Sequence, residues 1–519
     1  MTETEKIKLQ IAIDAKKSMN MSKFINTVIS EFKESDNYKE MQNGSRYYKN
    51  KGDIIEKKRT FINENGQEEV APHAKNYQIE HPILYKMINQ KAGYLLRKKP
   101  TIKQIIDEES EKEDKEYQSI LIDIFNHKMH KRLKYTLIEA VKRGLGWWQI
   151  YIDEKSELKV RLRYATRIIP LWQDEEHEVL DAVIMFYEVQ EYITETEKKT
   201  RTKVEYWDLE GVRYYIYDGS SLIEDVQAAE ERNEYQIGTD IEGTSIFAHF
   251  KVGEKLCTWE KIPFVYFKYN GDEMPLIHFL KTMLDCYDEL VSKMGDAIYE
   301  APDGVNVVKN YQDIAGTFQK NLVTFNTVFL EDNGEYDRKT IEIKIDAFKE
   351  FIAQLRKDIY EGGSGVDTQS EKFGTQESGV ALKQLYADLD LDCSNIETEF
   401  KSSIEYFMFF VNTWIGITTS KDYSDKDVDL VFNKTMTVNE KELIENCQNS
   451  MDMLSKKTIL ANHPYVSNVE DELKKIKDEQ KEAEKETDSQ YNELLETIRK
   501  SKNKGGENSS NINQKVGDN

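Results

Sequence analysis

Histidine and acidic residues that could bind a metal ion or transfer protons are sparse and poorly spaced in this 519-residue chain. His127 and His130 lie one helical turn apart and could touch one metal ion, but a pair of exposed helix histidines is the simpler interpretation. The stretch H-E-V-L-D at His177 lacks the second histidine that a zinc-binding helix needs. The acidic turn that begins at Asp332 has neither the ligand spacing nor the preceding helix of a calcium loop.

Motifs for nucleotide hydrolysis and nucleophilic catalysis are also missing. G-x-x-x-x-G-K-[ST], H-E-x-x-H and G-x-S-x-G do not occur in the sequence. The cysteines are far apart and form no C-x-x-C pair, which predicts free thiols in a reducing compartment; they are Cys257, Cys286, Cys393 and Cys447. We therefore expect no catalytic residue, no metal site and no cofactor, and a protein that is not an enzyme.

A glycine-rich segment is the strongest candidate for a functional element. From Gly362 to Gly379 the chain reads G-G-S-G-V-D-T-Q-S-E-K-F-G-T-Q-E-S-G, with five glycines in 18 residues. This composition predicts a flexible loop, because glycine adopts backbone conformations that other residues avoid. Val366 and Phe373 are the larger apolar side chains of the segment, and Lys372 is its only basic one. Composition alone also fits a solvent-exposed linker between helices.

Two predicted helices precede this loop in the chain and determine where it begins. The first opens at Pro275, with apolar residues recurring at steps of three and four. Acidic residues around this helix indicate, by themselves, an ordinary solvated side: Asp285, Asp288, Asp296 and Glu300. The second helix is predicted over Ala347 to Tyr360. Short β-like stretches lie between the helices, at Val305 to Val308, Leu322 to Leu330 and Ile341 to Ile345. The order suggests two helices side by side with a small β module at their tip.

The rest of the chain predicts an α+β architecture. A long helix is expected from about Ser378 to Ile415, which at about 1.5 Å per residue would extend roughly 57 Å. Before Pro275, an amphipathic helix is predicted from Gln78 and another from about Tyr117 to Arg143. Alternating β-branched and aromatic residues then predict antiparallel strands at Trp147 to Asp153, Lys159 to Tyr164, Val183 to Ile193, Val204 to Tyr217 and Phe264 to Tyr269.

Charge and hydropathy limit the classes of protein that fit. Acidic residues outnumber basic ones 95 to 72, for a net charge of -23. This balance argues against a protein that coats DNA, since phosphate binding needs a local basic surplus, but not against one that DNA slides past. The most apolar stretch, Tyr406 to Ile417, is about a dozen residues long, whereas a bilayer span needs about 20. We expect a soluble protein that is made in the cytoplasm.

A long segment, Asp358 to Phe400, resembles the signature of portal proteins of SPP1-like phages of Gram-positive hosts. Three further stretches agree with this family in the same order: Asn76 to Pro100, Asp285 to Asp296, and two runs within Phe432 to Leu473. One departure is Arg97-Lys98-Lys99 before Pro100, where the family often has a Gly-Lys-Pro type of turn.

The resemblance implies an α+β portal fold, mainly helical, with an antiparallel β part in the wing and a small α/β clip. The implied segments are wing (1–272), first stem helix (273–300), clip (301–345), second stem helix (346–361), tunnel loop (362–378), long wing helix (379–421), wing-to-crown and crown (422–485), and a disordered tail (486–519). Copies are expected to form a dodecameric ring at one capsid vertex of the virion.

The resemblance also implies the partners and the functional residues. Double-stranded DNA would pass through the ring without sequence-specific contacts, and the partners would be the large terminase subunit, head-completion or adaptor proteins, and the major capsid and scaffolding proteins. No membrane partner is expected. The DNA-proximal loop residues would be Gly362, Gly363, Gly365, Val366, Asp367, Lys372, Phe373 and Gly374. The channel-facing stem residues would be Asp285, Asp288, Asp296 and Glu300.

Two other classes remain as alternatives. A phage nuclease or ligase would need clustered acidic metal ligands, and metal-dependent DNA cleavage by the pure protein would reveal it. A structural capsid or tail subunit would form shells or tubes, whereas closed rings with a central hole would indicate a portal.

Overall fold

The computed structural model describes residues 20–71, 74–105, 114–217, 221–240, 242–300, 305–310, 332–339, 345–369, 384–434, 440–466 and 472–483, and isolated positions among the remainder. The chain divides into two compact units. The first comprises Met1–Gly374 and Leu385–Thr435, and the second comprises Thr375–Gln384 and Met436–Asn519.

Nine helices of the first unit are described, and three of them bear on the functional site. They are, in chain order, α1 (Met21–Glu34), α2 (Asp36–Tyr48), α3 (Ile83–Leu96), α4 (Lys115–Ile124), α5 (His127–Arg143), α6 (Val226–Glu231), α7 (Leu276–Glu300), α8 (Ile345–Gly362) and α9 (Ala387–Thr419). Polar side chains cap several N-termini, as where Asn126 accepts hydrogen bonds from the backbone of Lys128 and Met129. Helices α3, α7 and α8 position the candidate site described below.

The strands are antiparallel throughout, as the alternating pattern predicts. They are β1 (Thr60–Ile62), β2 (Glu68–Val70), β3 (Thr101–Gln104), β4 (Leu145–Ile152), β5 (Leu158–Tyr164), β6 (Ile168–Trp172), β7 (Leu180–Tyr192), β8 (Lys198–Trp207), β9 (Val212–Tyr217), β10 (Leu222–Glu224), β11 (Gln236–Thr239), β12 (Ser245–Phe247), β13 (Phe250–Val252), β14 (Lys255–Cys257), β15 (Phe264–Lys268), β16 (Val305–Lys309), β17 (Glu335–Lys339) and β18 (Val428–Val431). Seven form one sheet in the order β11-β12-β9-β8-β7-β6, with β10 on β9, and three form the sheet β15-β4-β5.

Aromatic side chains fill the space between these sheets and the helices. Trp147 and Trp148, adjacent on β4, point to opposite faces of the strand and are both fully buried. Trp147 contacts Trp172 and Tyr266, whereas Trp148 contacts Phe407 of α9. The core on both faces of β4 thus connects the sheets to the long helix α9.

Helix α9 carries the apolar stripe that the sequence predicts. Leu389, Cys393, Ile396, Phe400, Ile404, Phe407 and Val411 are all buried. The helix begins at Ala387, whereas the sequence predicts a start near Ser378; residues 370–383 lie outside the described part of the chain. The strand β18, which follows α9, pairs with β3 near the end of α3.

The region between α7 and α8 differs in part from expectation. β16 lies over the predicted strand Val305 to Val308 and pairs with β17, a strand that the sequence pattern did not indicate. The predicted strand at Leu322 to Leu330 is not found at its described positions: Leu322 and Thr324 are helical, and Leu330 is in neither a helix nor a strand. A short apolar run does not distinguish a strand from a buried helix segment, which explains the difference.

The second unit contains two described helices, α10 (Glu440–Asn449) and α11 (Lys456–Asn462). Cys447 and Ile459, one on each helix, are buried there. Within the described residues of the whole chain, no helix combines the length and the apolar character needed to cross a bilayer.

Candidate functional site: a covered helix face and a loop root

Helices α7 and α8 pack side by side and lead into the glycine-rich segment. Leu276, Ile277, Leu280 and Leu284 of α7 are buried. On α8, burial is confined to Ile359 and Tyr360 near its C-terminus. The pair is therefore held most firmly at the end where the glycine-rich segment begins.

The polar face of α7 is covered by an extended segment of the same chain, residues 77–81, which we call the strap. Asp296 accepts a hydrogen bond from the Tyr77 amide at 2.8 Å, and Ser292 Oγ accepts one from the Ile79 amide at 3.0 Å. Asp288 accepts one from the His81 amide at 3.1 Å. The strap therefore runs antiparallel to α7, with alternate amides bound to every fourth side chain.

The repeat distance of the strap matches that of the helix. Four residues of an α-helix rise about 6 Å, and two residues of extended chain span about 6.6 Å, so the two repeats stay in register over three contacts. Asp288, Ser292 and Asp296 are each less than a tenth exposed. His81 Nδ1 also lies 2.7 Å from Asp288 Oδ1. Burial raises the pKa of Asp288, and the hydrogen bonds from His81 oppose that rise.

The two acidic residues near the ends of this face form ion pairs. Asp285 binds Lys281 at 2.7 Å and accepts a hydrogen bond from the Tyr47 hydroxyl. Burial and the neighbouring Asp285 raise the pKa of Tyr47. At the other end, Glu300 binds Arg59 at 2.5 Å. Their side chains remain about a third exposed, at 30% for Asp285 and 38% for Glu300.

This arrangement changes the interpretation of the four stem carboxylates. The sequence suggested a solvated acidic side, and the family resemblance suggested a channel-facing one. Asp288 and Asp296 instead lie beneath the strap, where they satisfy backbone amides that would otherwise be buried without partners. The prediction of a helix from Gln78 was wrong over these residues: α3 begins at Ile83, and residues 77–81 form the strap because their amides bind α7. The Asp-Ser-Asp repeat at four-residue steps in α7 was a visible sign of a polar stripe on one face.

The C-terminus of α8 forms a tight hydrogen-bonded end. The Gly365 amide donates to the Tyr360 carbonyl at 2.8 Å, and the Ser364 amide donates to the Glu361 carbonyl at 3.1 Å. Ser364 has a φ of 47°, in the left-handed region. These are the features of a Schellman motif, in which this position usually belongs to glycine. Here the serine adopts the left-handed conformation, and the neighbouring glycines serve another purpose.

The glycines at this end allow close packing. A Cβ on Gly363 would lie 2.6 Å from Met87 Sδ and 3.1 Å from Leu280 Cδ1, and one on Gly365 would lie 3.0 Å from Met87 Cγ. Gly362 faces Met283 in the same way, at 3.3 Å. The start of the glycine-rich segment is thus pressed against α3 and α7, which differs from the flexible conformation expected for these three glycines.

Residues 362–369, which we call the loop root, are also fixed by polar contacts to α3. The Gln90 side chain donates to the Val366 carbonyl at 2.7 Å and accepts from the Val366 amide at 3.1 Å. Val366 is buried, with 4% of its surface exposed. Its side chain therefore lies in the protein interior in this structure, whereas a DNA-proximal position had been expected.

Asp367 is held by a two-pronged ion pair with Arg356 of α8. Arg356 Nε and one terminal nitrogen lie 2.6 and 2.9 Å from the two carboxylate oxygens. Burial would raise the pKa of Asp367, but the guanidinium hydrogen bonds prevail and lower it. The carboxylate is therefore charged and occupied at neutral pH.

Lys91 of α3, which contacts the loop root, is a fully buried charged residue, with no exposed surface. Its Nζ donates to the Gly363 carbonyl at 2.9 Å and binds Asp392 of α9 at 2.7 Å. A cation at the C-terminus of α8 also complements the helix dipole. Lys91 thereby ties α3, α8 and α9 together at one point. Sequence reasoning missed Gln90 and Lys91, although with Asn89 they form three adjacent polar residues within a largely apolar helix.

The other predicted loop residues, Lys372, Phe373 and Gly374, lie outside the described residues. Within the part of the chain that the structure describes, no group of three or more His, Cys, Asp or Glu side chains could hold a metal ion. His130, one of the two histidines considered for a metal, has its Nε2 3.0 Å from the Leu96 carbonyl oxygen.

Comparison with known proteins places the chain among phage proteins. A family model described as "Phage portal protein, SPP1 Gp6-like" matches residues 30–486. The chain is 24% identical over 461 residues to the portal protein of Bacillus phage SPP1, which covers 87% of this chain and 86% of that protein. It is 26% identical over 472 residues to the portal protein of Clostridium phage phiCD119, with coverage of 88% and 96%.

Solved structures of lower similarity also match. The neck of a native GTA particle, computed with C12 symmetry, aligns with a TM-score of 0.37 and 9% identity over 73% of this chain and 88% of that chain. The neck of an empty GTA particle, computed with C6 symmetry, aligns with a TM-score of 0.39 and 9% identity over 74% and 90%.

Proposed function

Since this chain belongs to the SPP1 Gp6-like family of phage portal proteins, it is a head-to-tail connector protein of the virion's portal vertex, and we propose that its copies close into a ring around an axial channel for double-stranded DNA. The protein is a structural component of the virion and not an enzyme. We propose twelve subunits for the ring. The match to the family model over most of the chain is the observation on which this proposal depends.

The loop root supports the placement of a tunnel loop after it. Three hydrogen bonds to α3, two between Gln90 and Val366 and one from Lys91 to Gly363, hold residues 362–367. Lys91 is in turn paired with Asp392 of α9, so the chain enters the rest of the glycine-rich segment from a rigid base. We propose that Lys372, Phe373 and Gly374 are the DNA-proximal residues of that loop. The role of the loop-root residues is then structural, because they hold the base of the loop in place; these residues are Gly362, Gly363, Gly365, Val366 and Asp367.

The four carboxylates of α7 also fall into two groups, one partly exposed and one buried. Asp285 and Glu300 keep partial exposure, and we propose them as the acidic residues of α7 that line the channel. A negative wall would repel DNA phosphates and prevent tight binding as the duplex moves. Asp288 and Asp296 are assigned to strap binding instead, because their burial leaves them no access to DNA.

The described elements also support the proposed segment boundaries. The last wing strand, β15, ends at Lys268, and α7 begins at Leu276, close to the proposed boundary at 272–273. The β16–β17 hairpin falls within the proposed clip, 301–345. The second compact unit, apart from Thr375–Gln384, begins at Met436, within the proposed wing-to-crown and crown segment, 422–485.

We propose that the clip meets the large terminase subunit during packaging and head-completion or adaptor proteins afterwards. The capsid and scaffolding proteins would contact the ring during assembly. ATP hydrolysis by the terminase would supply the energy for DNA movement, because this chain has no phosphate-binding loop motif of its own.

Electron microscopy of the purified protein, with class averages of the axial view, tests the proposal. Rings of about twelve subunits with an open centre are the expected result. Shells or tubes would contradict the proposal that the copies close into a ring around an axial channel. If the pure protein is monomeric, the same imaging after co-expression with scaffolding and capsid proteins decides whether rings form in the assembling head.

A second experiment tests the division between loop and loop root. Replacing Lys372 and Phe373 together by glycine should alter DNA packaging, retention or ejection without lowering thermal stability. Val366→Gly is the matched control, because it removes a buried side chain and should act through stability instead. Unchanged packaging, retention and ejection in the Lys372 and Phe373 variant would exclude these residues from the channel contact.

A further inference from the structure

A surface of unpaired positive charge lies where the C-terminal end of α3 meets the N-terminal end of α5. His130 Nε2 lies 3.0 Å from the Leu96 carbonyl oxygen, which joins the two helix ends directly. Arg97, Lys98 and Lys99 follow Leu96 without interruption. Lys131 is adjacent to His130, and Lys134 lies one turn further along the same helix, about 6 Å away.

The basic side chains of this surface are accessible. Lys98, Lys128 and Lys131 are exposed, as is Arg97, and Lys99 and Lys134 are partly exposed. We call these six residues the basic patch: Arg97, Lys98, Lys99, Lys128, Lys131 and Lys134.

The basic patch groups six basic side chains that lack acidic partners. Some other exposed lysines do pair with carboxylates, as Lys39 does with Asp36, Lys251 with Glu234 and Lys309 with Glu335. Among the described residues, none of the six basic-patch side chains lies within ion-pair distance of a carboxylate. Six unpaired cations on a protein with a net charge of -23 are a local surplus of the kind that phosphate binding requires.

The start of α5 adds to this positive potential. The first turn of α5 contains no acidic residue. The positive end of the helix dipole is therefore left uncompensated by a side chain of that turn. Tyr135, half exposed, has Lys131 Nζ 5.7 Å from its ring centroid, so an apolar ring lies beside the cations.

We propose that the basic patch binds the phosphate backbone of double-stranded DNA, at a site separate from the loop. Lys86, on the loop-root side of α3, and Arg97 are eleven residues apart, which corresponds to about 16 Å along the helix. A duplex presents a phosphate charge about every 1.7 Å along its axis, so a group of neighbouring cations can contact several phosphates at once. The contact is electrostatic and independent of base sequence, because lysine and arginine side chains that reach phosphates carry no base readout.

This inference takes its ligand from the family assignment but does not depend on the ring or on the loop. The main alternative occupant is the chain's own segment 107–113, in which five of seven residues are acidic. If that segment neutralises the basic patch, the patch is unavailable to DNA. The two cases predict different results for charge-removing variants.

The test uses the purified full-length protein and a fluorescently labelled, covalently closed DNA minicircle. A closed circle has no end to thread through a ring, so its binding reports on outer surfaces. Affinity is measured by anisotropy between about 50 and about 200 mM salt. The variant combines Lys98→Gln, Lys128→Gln and Lys131→Gln, and the control combines Lys39→Gln, Lys251→Gln and Lys309→Gln, which removes the same charge from lysines that are already paired.

The basic-patch variant should bind at least about tenfold more weakly at low salt, and its slope of log affinity against log salt should fall by about 2.7, which is about 0.9 for each lost contact. The control should match the wild type, and all three proteins should have the same melting temperature. Equal affinities and slopes for the variant and the wild type, or no binding by the wild type at the lowest salt, would overturn the proposal. If the protein forms rings but does not bind the minicircle, the basic-patch proposal fails and the proposed channel stands. If it binds the minicircle but forms no rings, the proposed channel fails and the basic-patch proposal stands.

Discussion

Gly363 lies where α8 ends against α3, and at this site the absence of a side chain matters more than flexibility. Met87 Sδ and Leu280 Cδ1 occupy the space that a Cβ would need. Gly93, on α3 itself, has open space around the position that a Cβ would take. The two glycines therefore provide a matched pair for testing the packing of the loop root.

Gly363→Ala should destabilise the first unit by about 1–3 kcal/mol, because the new methyl group forces Met87 and Leu280 to move. Gly93→Ala should instead be neutral or stabilise by up to about 1 kcal/mol, since alanine favours a helix interior over glycine. Thermal denaturation of both variants against the wild type measures the difference. Equal melting temperatures would show that the loop root adapts to the added group without cost.

His249 gives the fold a specific sensitivity to acid. The residue is partly buried, with its Nε2 inaccessible to solvent. Its ring stacks on Trp207, and its Nδ1 accepts a hydrogen bond from the Trp259 amide at 3.0 Å. Burial lowers the pKa of His249 to about 4, from an ordinary value of 6.5. The unfolded chain therefore takes up a proton between these two pH values that the folded chain excludes, so stability is present above about pH 6.5 and is lost as the pH falls toward 4.

The wild type should lose up to about 3 kcal/mol of stability through His249 over that pH interval. His249→Asn keeps an acceptor for the Trp259 amide and removes the titration. We expect its melting temperature to be lower at pH 7 but to depend less on pH between about 6.5 and 4. Parallel pH profiles for the two proteins would contradict a titration of His249.

The strap is a feature of two elements together, since neither α7 nor residues 77–81 would show it alone. Gln78 also donates from its side chain to the carbonyls of Ile55 and Lys57, at 2.7 and 2.8 Å. The strap is thus bonded both to α7 and to the segment that contains Ile55 and Lys57, and it covers α7 between Asp288 and Asp296. Its attachment depends on Ser292, the central one of the three side chains that bind its backbone.

Ser292→Ala should loosen the strap, because the buried Ile79 amide loses its acceptor, at a cost of about 1–3 kcal/mol. Hydrogen exchange across residues 77–81 should become faster, while α7 keeps its helical content. Lys293→Ala is the control on the adjacent, exposed position, where 67% of the side chain is accessible. Unchanged exchange in the Ser292 variant would mean that Asp288 and Asp296 suffice to hold the strap.

At the scale of the whole molecule, the described hydrophobic cores belong to one unit. The two clusters of buried residues that surround the sheets, including Trp147, Phe264 and Val204, all lie in the first unit. Helix α9 closes that core with Phe400, Phe407 and Val411. The first unit therefore has the means to fold without the chain that follows Thr435.

Truncation after Thr435 should leave a cooperatively unfolding protein whose melting temperature stays within about 5 °C of the full chain. Truncation after Gly374 removes α9 and should abolish cooperative unfolding, since the Trp148 and Phe267 side chains lose their apolar cover. Circular dichroism and calorimetry of both fragments test this. Loss of cooperative unfolding in the longer fragment would show that the core of the first unit depends on the second.

Local patterns were enough to predict much of the architecture. The antiparallel strands from Trp147 onward, the stripe on α9 and the helix after Pro275 follow from residue periodicity, because burial of one face repeats every 2 or 3.6 residues. The family was also evident from sequence, since the Asp358 to Phe400 segment is long and specific. The β17 strand was not evident, because a charged five-residue strand in a hairpin has no apolar alternation to mark it.

The sequence by itself determined the position of the long helices, some of the strands, the family and the absence of catalytic motifs, because these depend on residues that are close in the chain. The helix predicted from about Tyr117 to Arg143 is in fact two helices, α4 and α5, because Asn126 caps a new helix N-terminus between them. Only the tertiary structure decided which polar residues are exposed to solvent and which are buried in contacts within the chain. The strap contacts join residues more than 200 positions apart, and the loop root joins α3 to positions more than 270 residues later. Such pairings depend on how whole elements pack, so periodicity cannot reveal that Asp288 and Val366 are buried while the lysines beside Leu96 are exposed.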